Sequence, residues 1–294
     1  MITGSDAWYD KLTRAKVIVG NDNFPLWFRK RPGQYWLQTW HGWPIKRLLF
    51  DAHPNFVGLS YRRLMARQAS DWDLLLAQSG EAAQRIAGSA HYTGPVLEGE
   101  YPRNLALEQA MQDVASVKAN LGIPTGKRVI LWAPTWRYSA DELIFPAEKI
   151  ARENDAVVLV RGHHMRAVHR KGKNVKNVSS YPCVEELLAI ADLLISDYSS
   201  IFFDYALTGK PSIVYAPDLE IYKTQERGFY SDWPNDSGRP VALTTEALES
   251  EITTVLGETT SLSANELDRQ EKVQKSVLEN LAQIEAWIIQ KLKS

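Results

Sequence analysis

Residues 192–215 leave the chain little choice of fold. Leu193, Leu194 and Ile195 form a short, wholly apolar run, the pattern of a strand buried on both faces. A polar turn follows at 196–200, then a short helical stretch at 201–208 that Gly209 and Pro211 close. A second apolar run, 212–215, comes at once. Strand, helix and strand in so short a span make a βαβ unit, which requires a parallel sheet with helices on its faces. The turn gathers Ser196, Asp197, Ser199 and Ser200, with Asp204 just beyond. Hydroxyls and unpaired backbone N–H groups at a helix start either cap the helix or hold an anion, most often phosphate.

The same alternation runs through the chain. Strands are predicted at 16–20, 34–39, 73–77, 128–133 and 156–160, and helices at 7–15, 61–70, 104–121, 146–153, 184–190 and 246–256. Ser263 and Glu266 form a capping box for a last helix, whose apolar stripe Val273, Val277, Leu281, Ile284 and Ile288 reads as core packing. The segment 94–104, with Pro95, Gly99 and Pro102, reads as a boundary between domains at 1–106 and 107–294. Four of the predicted strands end in reactive polar groups: His41; Thr135 and Arg137; Arg161 with His163 and His164; and the turn 196–200. In open α/β sheets the carboxyl edge is where ligands bind.

Composition narrows the function. The net charge of −1 argues against broad nucleic-acid binding, and the single cysteine, Cys183, excludes an intrachain disulfide. No apolar run approaches the ~20 residues of a membrane-spanning helix, and no secretory leader is expected at Met1. The charge is uneven, however: residues 1–106 hold 13 Lys+Arg against 9 Asp+Glu, and 6 of the 10 tryptophans. Trp27, Phe28, Arg29, Lys30 and Arg31 are consecutive, and Arg62, Arg63 and Arg67 recur at helical spacing. Such a surface is either solvated or faces anionic lipid or an anionic polymer.

The chain carries no G-x-x-x-x-G-K-[ST], G-x-G-x-x-G or G-x-S-x-G sequence and no zinc-type Cys/His spacing. What it does carry is hydroxyls at a helix start, arginines and histidines. Arginines and helix N-termini stabilise charge on phosphoryl oxygens, and a histidine can take a proton from an attacking alcohol. That inventory suits transfer of a phosphorus-linked or glycosyl group from an activated nucleotide to a hydroxyl.

Five segments resemble one family in sequence and in order: Gln38-Thr39-Trp40-His41-Gly42, Tyr101-Pro102-Arg103-Asn104, Ala133-Pro134-Thr135-Trp136-Arg137, residues 192–205, and Arg227-Gly228-Phe229-Tyr230. They are similar to the CDP-glycerol glycerophosphotransferases, the teichoic acid primases and poly(glycerol phosphate) polymerases. The resemblance implies a GT-B-like α/β fold of two Rossmann-type domains facing a cleft, the N-terminal one truncated. It implies transfer of glycerol phosphate from CDP-glycerol, the donor substrate, to a lipid-linked or polymeric acceptor, releasing CMP. The sequence itself shows no paired acidic site for a metal, so activity without metal or other cofactor is expected. It also implies peripheral attachment to the cytoplasmic face of the membrane, an anionic surface. By the resemblance His41 lies near the acceptor hydroxyl, and His163, rather than His164, at the donor. Ser199, Ser200 and Asp204 match the donor-phosphate turn, with Arg137 and Arg227 on the donor side. Thr135, Arg161, Ser196 and Asp197 complete the donor set, and Lys46, Arg47, Arg62 and Arg63 stand on the acceptor or membrane side. Trp43 and Leu105 depart from the family pattern, both on the acceptor side. A nucleotide-sugar glycosyltransferase, or an inactive nucleotide-binding subunit, is the alternative.

Overall fold

A computed structural model describes residues 4–135, 143–162, 172–257 and 264–294, with the side chains of the last helix from Lys275 onward. The chain divides into two compact units, 1–102 with 275–294, and 103–274. Every pairing between strands in both is parallel.

The first unit runs α1 (Asp6–Arg14), β1 (Val17–Gly20), β2 (Tyr35–Gln38), α2 (Leu59–Ala69), β3 (Leu74–Ala77), α3 (Gly80–Ala90) and β4 (Val96–Glu98), with strands in the order β1-β2-β3-β4. Trp36, Leu37, Leu75, Leu76 and Ile86 are fully buried. Asp73 fixes the start of β2: one carboxylate oxygen accepts from the Trp36 N–H and from Lys30 Nζ, each at 2.7 Å. The segment expected to be a linker contains β4, which pairs with β3, and the division between units falls within that segment, after Pro102.

The second unit runs α4 (Arg103–Gln112), α5 (Val114–Asn120), β5 (Arg128–Trp132), α6 (Ala147–Glu153), β6 (Ala156–Val160), β7 (Val175–Asn177), α7 (Val184–Ile190), β8 (Leu193–Ser196), α8 (Ile201–Tyr205), β9 (Ser212–Tyr215), α9 (Leu219–Gln225), β10 (Val241–Ala242) and α10 (Thr245–Gly257). The single helix expected over 104–121 is two helices, broken at Asp113, whose φ of −127° leaves the helical region. Asp113, Val114, Ser116 and Val117 are weak helix formers, so the break costs little. Strand order is β10-β9-β8-β5-β6-β7. The order therefore reverses between β5 and β8, and at such a reversal the connections leave to opposite sides and open a crevice at the carboxyl ends. Beneath it Trp132 stacks on Phe145 with ring centroids 4.2 Å apart, in a core that includes Val158, Ile195 and Ile213. The last helix, α11 (Ala264–Lys293), begins in the second unit and ends in the first, where Val277 and Ile284 of its apolar stripe are buried. Among the described residues no helix is long and apolar enough to cross a membrane.

Candidate active site

In the first unit the reactive edge is built by register. Gly20 pairs with Gln38, so the residues after β1 and β2 leave the sheet side by side. The Thr39 N–H donates to the Gly20 carbonyl at 2.8 Å, and the Trp40 N–H to Gln38 Oε1 at 2.8 Å. Trp40 adopts φ of +57°, a conformation a bulky residue holds only when its surroundings impose it. The turn lays His41 against the Trp40 ring, stacked at 5.0 Å with 16° between planes. His41 Nδ1 lies 2.7 Å from the Asn21 carbonyl oxygen. A carbonyl can only accept, so Nδ1 carries the proton and Nε2 of the neutral ring keeps its lone pair. The ring is exposed, and the loop beyond it is pinned where Arg85 Nη1 donates to the Pro44 carbonyl at 3.0 Å.

The basic residues assigned to this side separate. Arg47 and Arg63 are exposed and Lys46 is half-buried. Arg62 is inside the unit: Nε donates to the Val57 carbonyl at 2.6 Å and Nη2 to that of Ala52 at 2.7 Å. Its charge holds the loop before α2 and is not on the surface. Lys30 is committed to Asp73.

In the second unit the turn after β8 is tied to the end of β5. Ser196 Oγ donates to the Ala133 carbonyl at 2.6 Å, and Asp197 Oδ1 accepts from the backbone N–H groups of Thr135 at 2.9 Å and Tyr198 at 2.5 Å. Ser196 and Asp197 are both buried. Through these bonds they build the turn. Tyr198 is buried between Tyr222 and Phe229, with centroids at 3.9 and 5.4 Å, and Trp233 Nε1 donates to the Asp197 carbonyl at 3.0 Å. These rings hold the Arg227–Tyr230 segment beside the turn.

Ser199 caps α8, its Oγ accepting from the Ile201 N–H at 3.3 Å. Ser200 follows in helical conformation, and its hydroxyl makes no bond within the described residues. The helix itself is five residues long, so its dipole is weak and the hydroxyl counts for more than the helix. Arg103 clasps Asp204: Nη2 donates to Oδ1 at 2.9 Å and to Oδ2 at 3.0 Å, and Nε to Oδ1 at 3.3 Å. Arg227 is half-buried, and its Nε is buried without a partner among the described residues, as expected of a cation awaiting an anion. Arg161 sits at the end of β6, where Nη1 donates to the carbonyls of Val178 and Tyr181 at 3.1 and 2.8 Å. Burial pushes its guanidinium below arginine's ordinary value, with Glu185 opposing. Arg137, His163 and His164 lie outside the described residues.

Asn21 and Arg103 had no role in the sequence reading. Asn21 follows β1, the sheet neighbour of the strand that precedes His41, and Arg103 lies in the Tyr101–Asn104 motif; sheet register and that motif were the signals available.

The sequence pattern described as CDP-glycerol:poly(glycerophosphate) glycerophosphotransferase matches residues 1–276. The chain is 33% identical over 259 residues to a teichoic acid poly(glycerol phosphate) polymerase of Bacillus subtilis, covering 81% of this chain and 35% of that protein. It is 32% identical over 263 residues to a teichoic acid glycerol-phosphate transferase of Staphylococcus aureus, covering 82% and 67%. The chain thus spans about a third of the first of these curated relatives and two thirds of the second. A solved structure of a variant of the wall teichoic acid polymerase TagF, soaked with CDPG, superposes with a TM-score of 0.76 at 27% identity, over 95% of this chain and 71% of that one.

Proposed function

Because the chain belongs to the CDP-glycerol:poly(glycerophosphate) glycerophosphotransferase family, we propose that it moves glycerol phosphate from CDP-glycerol to a hydroxyl of a teichoic-acid-type acceptor, releasing CMP. The observation that carries this reading is the His41 ring, held by Asn21 in the tautomer whose Nε2 can accept a proton. An acceptor alcohol must lose its proton as its oxygen attacks phosphorus, and His41 is the base for that step. As the new O–P bond forms, the bond from phosphorus to the bridging oxygen of CDP-glycerol breaks, and CMP leaves with the electron pair. The second unit takes the donor at the β5–β8 crevice. There the Ser200 hydroxyl and the Arg227 guanidinium meet the phosphates, with the unassigned donors of Arg161 on the same edge. Arg137 and His163 complete the donor side.

We place a membrane-facing surface on the first unit. Leu26, Trp27 and Tyr9 are 70%, 50% and 40% exposed, and Trp27 packs edgewise on Trp8 at 6.2 Å. Arg29 and Arg67 both donate to the carbonyls of Leu26 and Phe28. Burial, then the charge of Arg29, pushes the Arg67 guanidinium below its ordinary value, a repulsion that an anionic headgroup would relieve.

Thermal stability in the presence of nucleotides tests the donor assignment. CDP-glycerol and CMP should raise the melting temperature, while UDP and GDP should not. Stabilisation by UDP or GDP sugars instead would favour a nucleotide-sugar enzyme.

A further inference from the structure

One polar corner of the first unit leaves hydrogen bonds unmade. Gln78 follows β3 and Glu100 lies two residues beyond β4, so both stand at the carboxyl edge of the sheet that also carries His41. Asn280 reaches the corner from α11 and is 1% exposed. A Cβ at position 99 would come within 2.7 Å of its Cγ and Nδ2, so a glycine there admits the side chain. Gln78 Nε2 donates to Glu100 Oε2 at 3.1 Å, and Asn280 Nδ2 donates to the Glu100 carbonyl at 2.9 Å. A carboxylate and a carbonyl accept only, so neither amide can be turned round without setting oxygen against oxygen. Both amide oxygens, Gln78 Oε1 and Asn280 Oδ1, are thereby left as acceptors, and both are buried with no partner among the described residues.

Each such orphan costs about 1–3 kcal/mol, so two together call for a donor. The groups of these two amides left without partners among the described residues are both oxygens, which disfavours phosphate. Among the described residues, the single charge of the Glu100 carboxylate is less than a divalent cation ordinarily gathers. A neutral hydroxyl satisfies an amide oxygen without either difficulty.

We propose that Gln78, Glu100 and Asn280 form a hydroxyl-recognition site for a polyol, a glycerol unit of the acceptor chain. The assignment rests on the transferase reading above. β2 and β4 are separated by β3 alone, so the site lies two strand spacings, roughly 10 Å, along the edge from the end of β2. An acceptor with one hydroxyl at His41 can extend a neighbouring unit toward it.

The test uses the full chain and a synthetic glycerol phosphate dimer, by saturation-transfer NMR without donor and by kinetics with CDP-glycerol. In Gln78→Met the dimer signal should fall away and the acceptor KM should rise about tenfold, the loss of one good hydrogen bond, while the KM for CDP-glycerol holds. Asn280→Ala should act in the same direction; should it fail to fold, Gln78→Met at the half-buried rim still decides. Unchanged dimer binding and acceptor KM in Gln78→Met would mean that water alone meets these oxygens, and would overturn the site. So would stabilisation of the wild type, but not of Gln78→Met, by magnesium or calcium chloride. Dimer binding by a wild type that ignores CDP-glycerol would sink the donor reading and leave this site standing.

Discussion

The His41 ring keeps Nε2 as an acceptor while the Asn21 carbonyl holds Nδ1–H. Removing the ring should therefore abolish proton transfer and leave nucleotide binding in the second unit alone. His41→Ala is expected to lower kcat by ~10²–10⁴-fold, with CMP affinity by calorimetry unchanged. Ser200→Ala should show the opposite split, weakening CMP by about 2- to 10-fold through loss of one hydrogen bond. Arg62 makes a different contrast, since its two bonds to backbone carbonyls are structural. Arg62→Ala should cost about 2–3 kcal/mol in denaturant unfolding and leave vesicle binding as it was. The residue types at these positions were legible in the sequence; their division of labour was not. Ser196, Asp197, Ser199, Ser200 and Asp204 share one short stretch, yet three are spent on distant partners: Ala133, Thr135 and Arg103. A carboxylate looks the same in a sequence whether it faces phosphate or a buried N–H.

At the scale of elements, short apolar runs such as residues 156–160 and 193–195 announced their strands because burial on both faces allows little else. The edge strands β7 and β10 were missed, being three and two residues long, as was α9, whose seven residues follow a turn. Such elements exist through the neighbours they pair with or pack on, which local sequence does not record. The helix α8 is the shortest of the helices bearing on the site, and it is held from outside by the Arg103–Asp204 clasp. Both side chains are largely buried, at 28% and 15% exposure, so screening by solvent is modest. Asp204→Asn and Arg103→Ala should each weaken CMP binding without touching the nucleotide. A double-mutant cycle should return a coupling of about 1–3 kcal/mol. The exchanged pair Arg103→Asp with Asp204→Arg should recover part of the loss, and full additivity would show that the clasp does not position the turn.

For the molecule as a whole, the excess of positive charge and most of the tryptophans lie in residues 1–106, and the structure narrows which of them face outward. With Arg62 and Lys30 withdrawn, the surface that remains is Leu26, Trp27, Tyr9, Arg29, Arg31, Arg63 and Arg67. Each basic residue near anionic lipid contributes on the order of 1 kcal/mol, screened by salt. Sedimentation with phosphatidylglycerol vesicles at low salt should exceed that with neutral vesicles and should fall in Trp27→Ser with Arg67→Gln; equal sedimentation would remove the membrane assignment. Group transfer from CDP-glycerol can be followed through the glycerol carbon. With CDP-glycerol labelled in its glycerol and a glycerol phosphate oligomer as acceptor, the wild type should lengthen the oligomer by labelled units and release CMP in equal amount, and His41→Ala should do neither at a comparable rate. Label that stays in CDP-glycerol with the wild type would exclude group transfer, and transfer that His41→Ala performs as fast would exclude His41 as its base.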